Sequence, residues 1–312
     1  MFEIFKSINV DWMGKRKILI ALSIVVLLTG LSSAVGRQFS PGGTDAFNLG
    51  VDFRGGTVVT AKFKQKPEVD AIRSALQDIG MSESIIQDST DKTDEVLIKV
   101  PNIGKREQEC GADVDEAGRC MVKKALDSLG KEAEGATKLE DDAAAGYKIV
   151  GTDSVGPVAG EQLRNQAVIA TLLGLAGILF YIAFRYDWTY AAGAVIAVFH
   201  DVLITLAFFS VFQWEISLTV LAALLTLVGF SVNDSIVIFD RIRENLTLHR
   251  GESLYNLTND SINQTMSRTI VTNGLVFLSV LALVLFGGEV LRGFSLALFV
   301  GSITGTYSTI AI

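Results

Sequence analysis

The sequence predicts an α-helical membrane bundle of six transmembrane helices together with one α+β domain of ferredoxin-like pattern outside the membrane. Three observations predict it. The 312 residues are 49% hydrophobic with a mean hydropathy of +0.41, too apolar for an ordinary soluble domain of this length. The surplus is concentrated in six runs, roughly 18–36, 166–184, 189–211, 216–239, 269–287 and 293–312. Each has about the 20 residues a helix needs to cross hydrocarbon, and lipid tolerates only backbones that satisfy their own hydrogen bonds. The third observation is a polar segment, 37–164, between the first run and the second. It holds 17 Lys/Arg and 23 Asp/Glu, which makes it net −6 of the −7 carried by the whole chain.

The expected organisation is therefore an N-terminus with the first helix at 1–36, an outside domain at 37–164 and a five-helix region at 165–312. Pro41, Pro67, Pro101 and Pro157 all fall outside the six runs, as spans require. The charges outside the polar segment are sorted in space. Lys6, Lys15, Arg16 and Lys17 precede the first run, Arg185 follows the second, and Arg241, Arg243 and Arg250 follow the fourth. The loops on the opposite face, around Gln213-Trp214-Glu215 and at 287–292, carry only Arg292. The positive-inside rule then puts the N-terminus in the cytoplasm and the polar domain outside, and an acidic domain of this length translocates regardless of its charge. The first run is expected to stay as an uncleaved span, although Lys15-Arg16-Lys17 also suits a signal peptide; the run is long for one, and Ser32-Ser33-Ala34 is a poor cleavage site. The last run ends at Ile312 without a polar anchor, which suggests a chain that continues.

In the outside domain, Gly55-Gly56 opens an alternating stretch, 57–64, that reads as a strand. Pro67 precedes Val69, Ile72, Leu76 and Ile79 at helical spacing, and Gly80 closes that helix. Strand-like runs follow at 84–87 and 95–100, a second helix is expected near 121–134, and a last strand at 147–150. The order β-α-β-β-α-β is a split βαβ pattern. Cys110 and Cys120 flank a polar, glycine-containing loop, and a disulfide-closed hairpin and two free thiols are both open readings. Two cysteines with no histidine in the domain do not make a metal site.

Charged side chains inside the runs demand a reason, because one near the bilayer centre costs on the order of 2.5–3.5 kcal/mol on insertion scales. Asp234 stands in Phe230-Ser231-Val232-Asn233-Asp234-Ser235, where helical spacing offers it Ser231 as its one polar neighbour. Its carboxyl is either a proton relay or a structural interhelix contact. Arg268, with Thr272 and Asn273 a turn further in, is either an interfacial snorkelling arginine or a partner reaching Asp234. A carboxylate held between desolvation and a fixed cation can load and release a proton, and one proton crossing about 100 mV releases roughly 2.3 kcal/mol. His200 and Asp201 are sequence neighbours pointing about 100° apart, so at most one of them is expected to face a given partner. His200 is open between a packed histidine and a relay member. Gly301-Ser302-Ile303-Thr304-Gly305 marks close helix packing.

The motifs resemble the SecD/SecF family of protein-export membrane proteins, on its SecF side, within the resistance–nodulation–division superfamily. The resemblance runs through Gly50-Val51-Asp52-Phe53-Arg54-Gly55-Gly56-Thr57, Gly156-Pro157, Val198-Phe199-His200-Asp201, Val232-Asn233-Asp234-Ser235, Ser267-Arg268-Thr269 and Gly293-Phe294-Ser295-Leu296, and covers nearly the whole chain. It implies half of a twelve-helix unit completed by a SecD-like six-span protein in the bacterial inner membrane, with residues 37–164 periplasmic. It further implies association with the SecYEG translocon, a YajC-like accessory protein and a translocating polypeptide, and proton conduction by Asp234 and Arg268. His200, Asp201, Ser231 and Thr272 are lesser relay candidates by their own place in the apolar runs. Asp52, Gly55, Gly56, Gly156 and Pro157 would be structural, while the Cys110–Cys120 segment departs from the family pattern. No enzyme activity, cofactor, metal or nucleic-acid partner is expected. A rival reading is a proton-driven small-molecule exporter of the same superfamily. An intramembrane hydrolase lacks its motifs: no HExxH, no GxGD, no second glycine after Ser231, and His249 outside the runs.

Overall fold

The computed structural model describes residues 9–39, 45–82, 84–89, 93–101, 110, 114–133, 139–185 and 188–311. Lys6, Pro41 and the loop residues 111–113 lie outside them. The chain forms two compact units, Met1–Asn48 with Ile169–Ile312, and Leu49–Val168.

The first unit is helical. It comprises α1 (Trp12–Phe39), which is followed by the two-residue strand β1 (Asn48–Leu49), the later part of α5 (Pro157–Arg185), α6 (Trp188–Phe212), α7 (Leu218–Leu248), α8 (Leu254–Phe286) and α9 (Gly288–Ala311), with the two-residue strand β7 (Glu215–Ile216) between α6 and α7. These six helices are long and apolar enough to cross a membrane, and their positions match the six predicted runs. Two of them overrun the prediction. The helices α7 and α8 continue well past the run 216–239 and begin well before the run 269–287, because hydropathy ends where polar residues begin while helical hydrogen bonding continues. Arg241 and Glu244 pair across one turn there, and Asn245 donates to Ser261 Oγ at 2.8 Å.

Small residues set the closest approaches. A side chain at Gly30 of α1 would collide with the Ala207 backbone of α6, and one at Gly301 of α9 with the buried Leu227 of α7. Without a hydrophobic effect between helices in lipid, such contacts supply the dispersion energy of association. The apolar faces of α1 and α5 remain largely uncovered.

The second unit contains α2 (Val51–Arg54), β2 (Gly56–Phe63), α3 (Val69–Asp78), β3 (Ile85–Asp88), β4 (Glu95–Pro101), α4 (Val114–Leu126), β5 (Lys131–Glu132) and β6 (Ala145–Val155). Its sheet runs β3-β4-β2-β6-β5, antiparallel except for the β5–β6 edge. That is the predicted β-α-β-β-α-β topology with one short strand, β5, added at the edge. Val59, Ala61 and Phe63 alternate inward from β2 and meet Ile72 and Leu76 of α3 and Met121, Val122, Ala125 and Leu126 of α4. Each large aliphatic or aromatic side chain buried this way contributes about 1.5–3 kcal/mol.

The second helix lies at 114–126, ahead of the expected 121–134. Gly118 reads as a loop residue, yet a side chain there would overlap Thr57 of β2; the glycine lets the helix lie against the sheet. The expected hairpin between the cysteines is therefore corrected. Cys120 sits inside α4, and Cys110 is bonded to it with sulfurs 2.08 Å apart and Cα atoms 5.9 Å apart, so the bridge ties the incoming chain to the helix.

Gly55 and Gly56 have φ of 75° and 136°, backbone conformations that residues with a Cβ rarely adopt. The Gly55 N–H donates to Val51 O and closes the turn that carries Asp52. Gly160, one turn into α5, comes so near that a Cβ there would stand 3.0 Å from Gly55 N. Pro157 opens α5, where its missing N–H has no intrahelical partner to lose. Gly156 has open space around it, and nothing in the structure explains why it is glycine.

Candidate functional site

The membrane unit gathers its buried polar side chains around two carboxylates, Asp201 on α6 and Asp234 on α7, which are 1% and 6% exposed. Their surroundings differ in kind.

Asp201 is saturated. Its Oδ1 lies 3.0 Å from His200 Nδ1, and its Oδ2 accepts hydroxyls from Ser231 of α7 at 2.6 Å and Ser308 of α9 at 2.8 Å. Three helices thus meet on one carboxylate. His200 and Asp201, about 100° apart at the backbone, turn their side chains onto each other, while Asp201 alone accepts from Ser231 and Ser308. One sequence expectation is corrected here. Ser231 sits one turn from Asp234 but spends its hydroxyl on Asp201.

Asp234 is half open. Its Oδ2 accepts the Asn273 amide of α8 at 2.6 Å, and that same amide nitrogen donates to Thr306 of α9 at 2.7 Å. Its Oδ1 has no hydrogen-bond donor among the described residues. A cavity of about 50 Å³ lies between α7, α8 and α9, lined by Asp234, Ser231, Asn273, Ser302, Gly305 and Thr306 together with apolar side chains such as Leu227 and Val276. That volume admits a water molecule or two beside polar partners. Asp234 thus keeps one oxygen without a donor among the described residues and borders the cavity.

Arg268 does not reach Asp234. It is exposed on α8 and makes no hydrogen bond or ion pair with the carboxylate. The expected direct pair is replaced by Asn273, five residues further along α8 and so about 7.5 Å deeper. Thr272 is exposed and its hydroxyl donates to the Arg268 and Thr269 carbonyls of its own helix, outside the cluster. Residues that sequence reasoning left out of the site are Asn273 as the direct partner, Ser308 and Thr306. Asn273 carried a signal, an amide in a long apolar helix; the two hydroxyls carried none, since serine and threonine abound in such helices. The GxxxG step also gains a second role. Gly301 packs on Leu227, but Gly305 borders Asp201 Oδ2, at 3.7 Å from where its Cβ would be.

Residues 136–312 match the family described as Protein export membrane protein SecD/SecF, C-terminal, and residues 43–67 match the SecD/SecF GG Motif. The chain belongs to the SecD/SecF family. Relatives named Protein translocase subunit SecF are 40% identical in Koribacter versatilis, over 99% of this chain and 91% of that one, and 37% identical in Pseudomonas aeruginosa, over 97% and 89%. A crystal structure of SecDF, a translocon-associated membrane protein from Thermus thermophilus, superposes with a TM-score of 0.78 at 35% identity. It covers all of this chain, which spans 38% of that longer SecDF chain. The matched GG segment includes the Gly55-Gly56 turn, and the matched C-terminal segment includes both buried carboxylates and every residue lining the cavity beside Asp234. With its six apolar helices, this SecD/SecF member is a multi-pass membrane protein.

Proposed function

We propose that this chain is the SecF-type subunit of a SecD–SecF unit that uses the proton-motive force to promote protein export across the bacterial inner membrane. The observation that carries the reading is the half-open Asp234 carboxyl: buried, held by Asn273 on one oxygen, and bordering a small cavity of mixed polar and apolar side chains. A carboxyl with both oxygens held by donors would favour staying ionised, and an exposed one would equilibrate with bulk water and gate nothing. Asp234 avoids both. Arg268 belongs to the same device as a fixed charge acting across a gap, which an inward shift of α8 would close.

The partners follow from family membership. A SecD-like six-span protein completes a twelve-helix unit against the uncovered apolar faces of the helices, and the unit works with the SecYEG translocon, a YajC-like protein and the polypeptide in transit. The basic residues near 15–17, 185 and 241–250 support an orientation with the N-terminus in the cytoplasm and residues 37–164 in the periplasm.

The test is export into inner-membrane vesicles with and without a proton gradient. Asp234→Asn should assemble with its partner yet lose the gradient-stimulated part of export; full stimulation would refute the relay. Arg268→Met should fail in the same way while Arg268→Lys retains a measurable part, because the role assigned is charge without bidentate contact.

A further inference from the structure

His200 has no task in the reading above, yet among the described residues it is the one buried cationic candidate in the membrane unit. Asp201 needs a counter-charge: it is 1% exposed, and no lysine or arginine among the described residues lies within ion-pair distance of it. Its three contacts are all suited to a negative carboxylate, with hydroxyls from Ser231 and Ser308 on one oxygen and the imidazole on the other. When His200 gives its Nδ1–H to Asp201, the lone pair of a neutral ring is left on Nε2. That nitrogen is buried and has no hydrogen-bond partner among the described residues. A packed structural histidine would be expected to satisfy both nitrogens.

The other groups packed around the ring leave Nε2 available. From α9, Tyr307 lies with its ring centroid 6.2 Å away, but its hydroxyl is committed to Ser23 and the Leu19 carbonyl of α1. From α7 the titratable group is Asp234, three residues from Ser231, whose side chain lines the Asp234 cavity while bonding Asp201. Helix α1 brings Ser23 and a carbonyl to this layer and no charge.

We propose that the His200–Asp201 pair is a second proton-binding site of the membrane unit, with Nε2 of His200 as the accepting atom and Asp201 as the resident counter-ion. A proton arriving at Nε2 turns imidazole into imidazolium; the Nδ1–H stays on Asp201, no other bond changes, and the proton departs from the same nitrogen. The pair alternates between net −1 and net 0. Because Ser231 joins it to the cavity wall, that alternation changes the field in which Asp234 loads and releases. This last coupling rests on the relay reading above, whereas the site itself does not.

The sequence has only two histidines, which makes the test direct. His249 lies exposed just beyond α7, so His249→Gln leaves a chain with one ¹⁵N-histidine spectrum, recorded in lipid bilayers across about pH 5 to 8. The expected result is one titration in which the lone-pair nitrogen signal becomes an N–H signal, with a midpoint moved about tenfold or more in proton concentration by Asp201→Asn. A neutral, single-tautomer spectrum throughout, or a midpoint indifferent to Asp201→Asn, overturns the proposal. Export then separates the two ideas. A silent histidine in a chain whose Asp234→Asn variant loses stimulation sinks only the second site. A titrating histidine in a chain whose Asp234→Asn variant exports normally sinks the relay and leaves the second site standing.

Discussion

Asn273 joins three helices with one amide nitrogen, touching Asp234 of α7 and Thr306 of α9 from its seat on α8. Interhelix hydrogen bonds of this kind are worth about 0.6 kcal/mol each in a membrane and at most about 1.7. Asn273→Leu should therefore destabilise the helical unit by about 1–2 kcal/mol, read by thermal unfolding in detergent. It should also displace the pH profile of gradient-stimulated export, because Asp234 loses its one donor among the described residues; a stability change with an unmoved profile would make Asn273 a strut alone. The carboxylate itself was legible in the sequence, since an isolated charge in an apolar run declares its expense. Its partner was not. Sequence spacing reveals neighbours along one helix, so Ser231 was assigned to Asp234, but the rotation of α7 turns that hydroxyl onto Asp201. Which of two adjacent donors crosses a helix interface depends on a few tens of degrees of rotation, and no periodicity carries that information.

At the level of elements, α9 offers a clean contrast between two glycines four residues apart. An added methyl at Gly301 would stand 2.6 Å from Leu227, whereas at Gly305 it would meet nothing nearer than 3.7 Å. Gly301→Ala should cost about 1–3 kcal/mol in the helical unit by overpacking, and Gly305→Ala close to nothing, both by thermal unfolding. In the polar unit, β6 and α4 share a buried phenol. Burial, and then the hydrogen bond that Tyr147 donates to Asp127 at 2.8 Å, push its ionisation far above the ordinary range. A group whose folded value is raised contributes stability that is complete below its unfolded value, near pH 10, and is lost as pH rises beyond it. Tyr147→Phe should lose about 1 kcal/mol at neutral pH and then blunt the alkaline decline of this unit, followed by hydrogen exchange of β6. The strands were legible because β2 and β4 alternate cleanly, and α3 because its apolar residues recur at helical spacing. Helix α4 was misplaced for one residue's sake: Gly118 looks like a breaker until Thr57 is beneath it.

For the molecule as a whole, the two units should respond separately to the loss of the Cys110–Cys120 bridge. The bridge closes a loop of about ten residues, for which chain entropy gives about 2–3 kcal/mol. Cys120→Ser should lower protection from hydrogen exchange across α4 and β6 by that amount and leave α6 to α9 unchanged; an equal loss in both units would show that they fold as one. The helical unit has a geometry of its own to exploit. At 1.5 Å per residue, α7 extends about 21 Å beyond Asp234 to its end at Leu248, and α8 runs beside it, laced by Asn245 and Ser261. The pair is a long stiff lever with its fulcrum near one ionisable group. A tilt of about 10° at that fulcrum swings the far tip by nearly 4 Å, as the helical rise dictates. If Asp234 is the proposed relay, the arrival of one proton would be magnified by this length into a displacement of several ångströms at the helix tips.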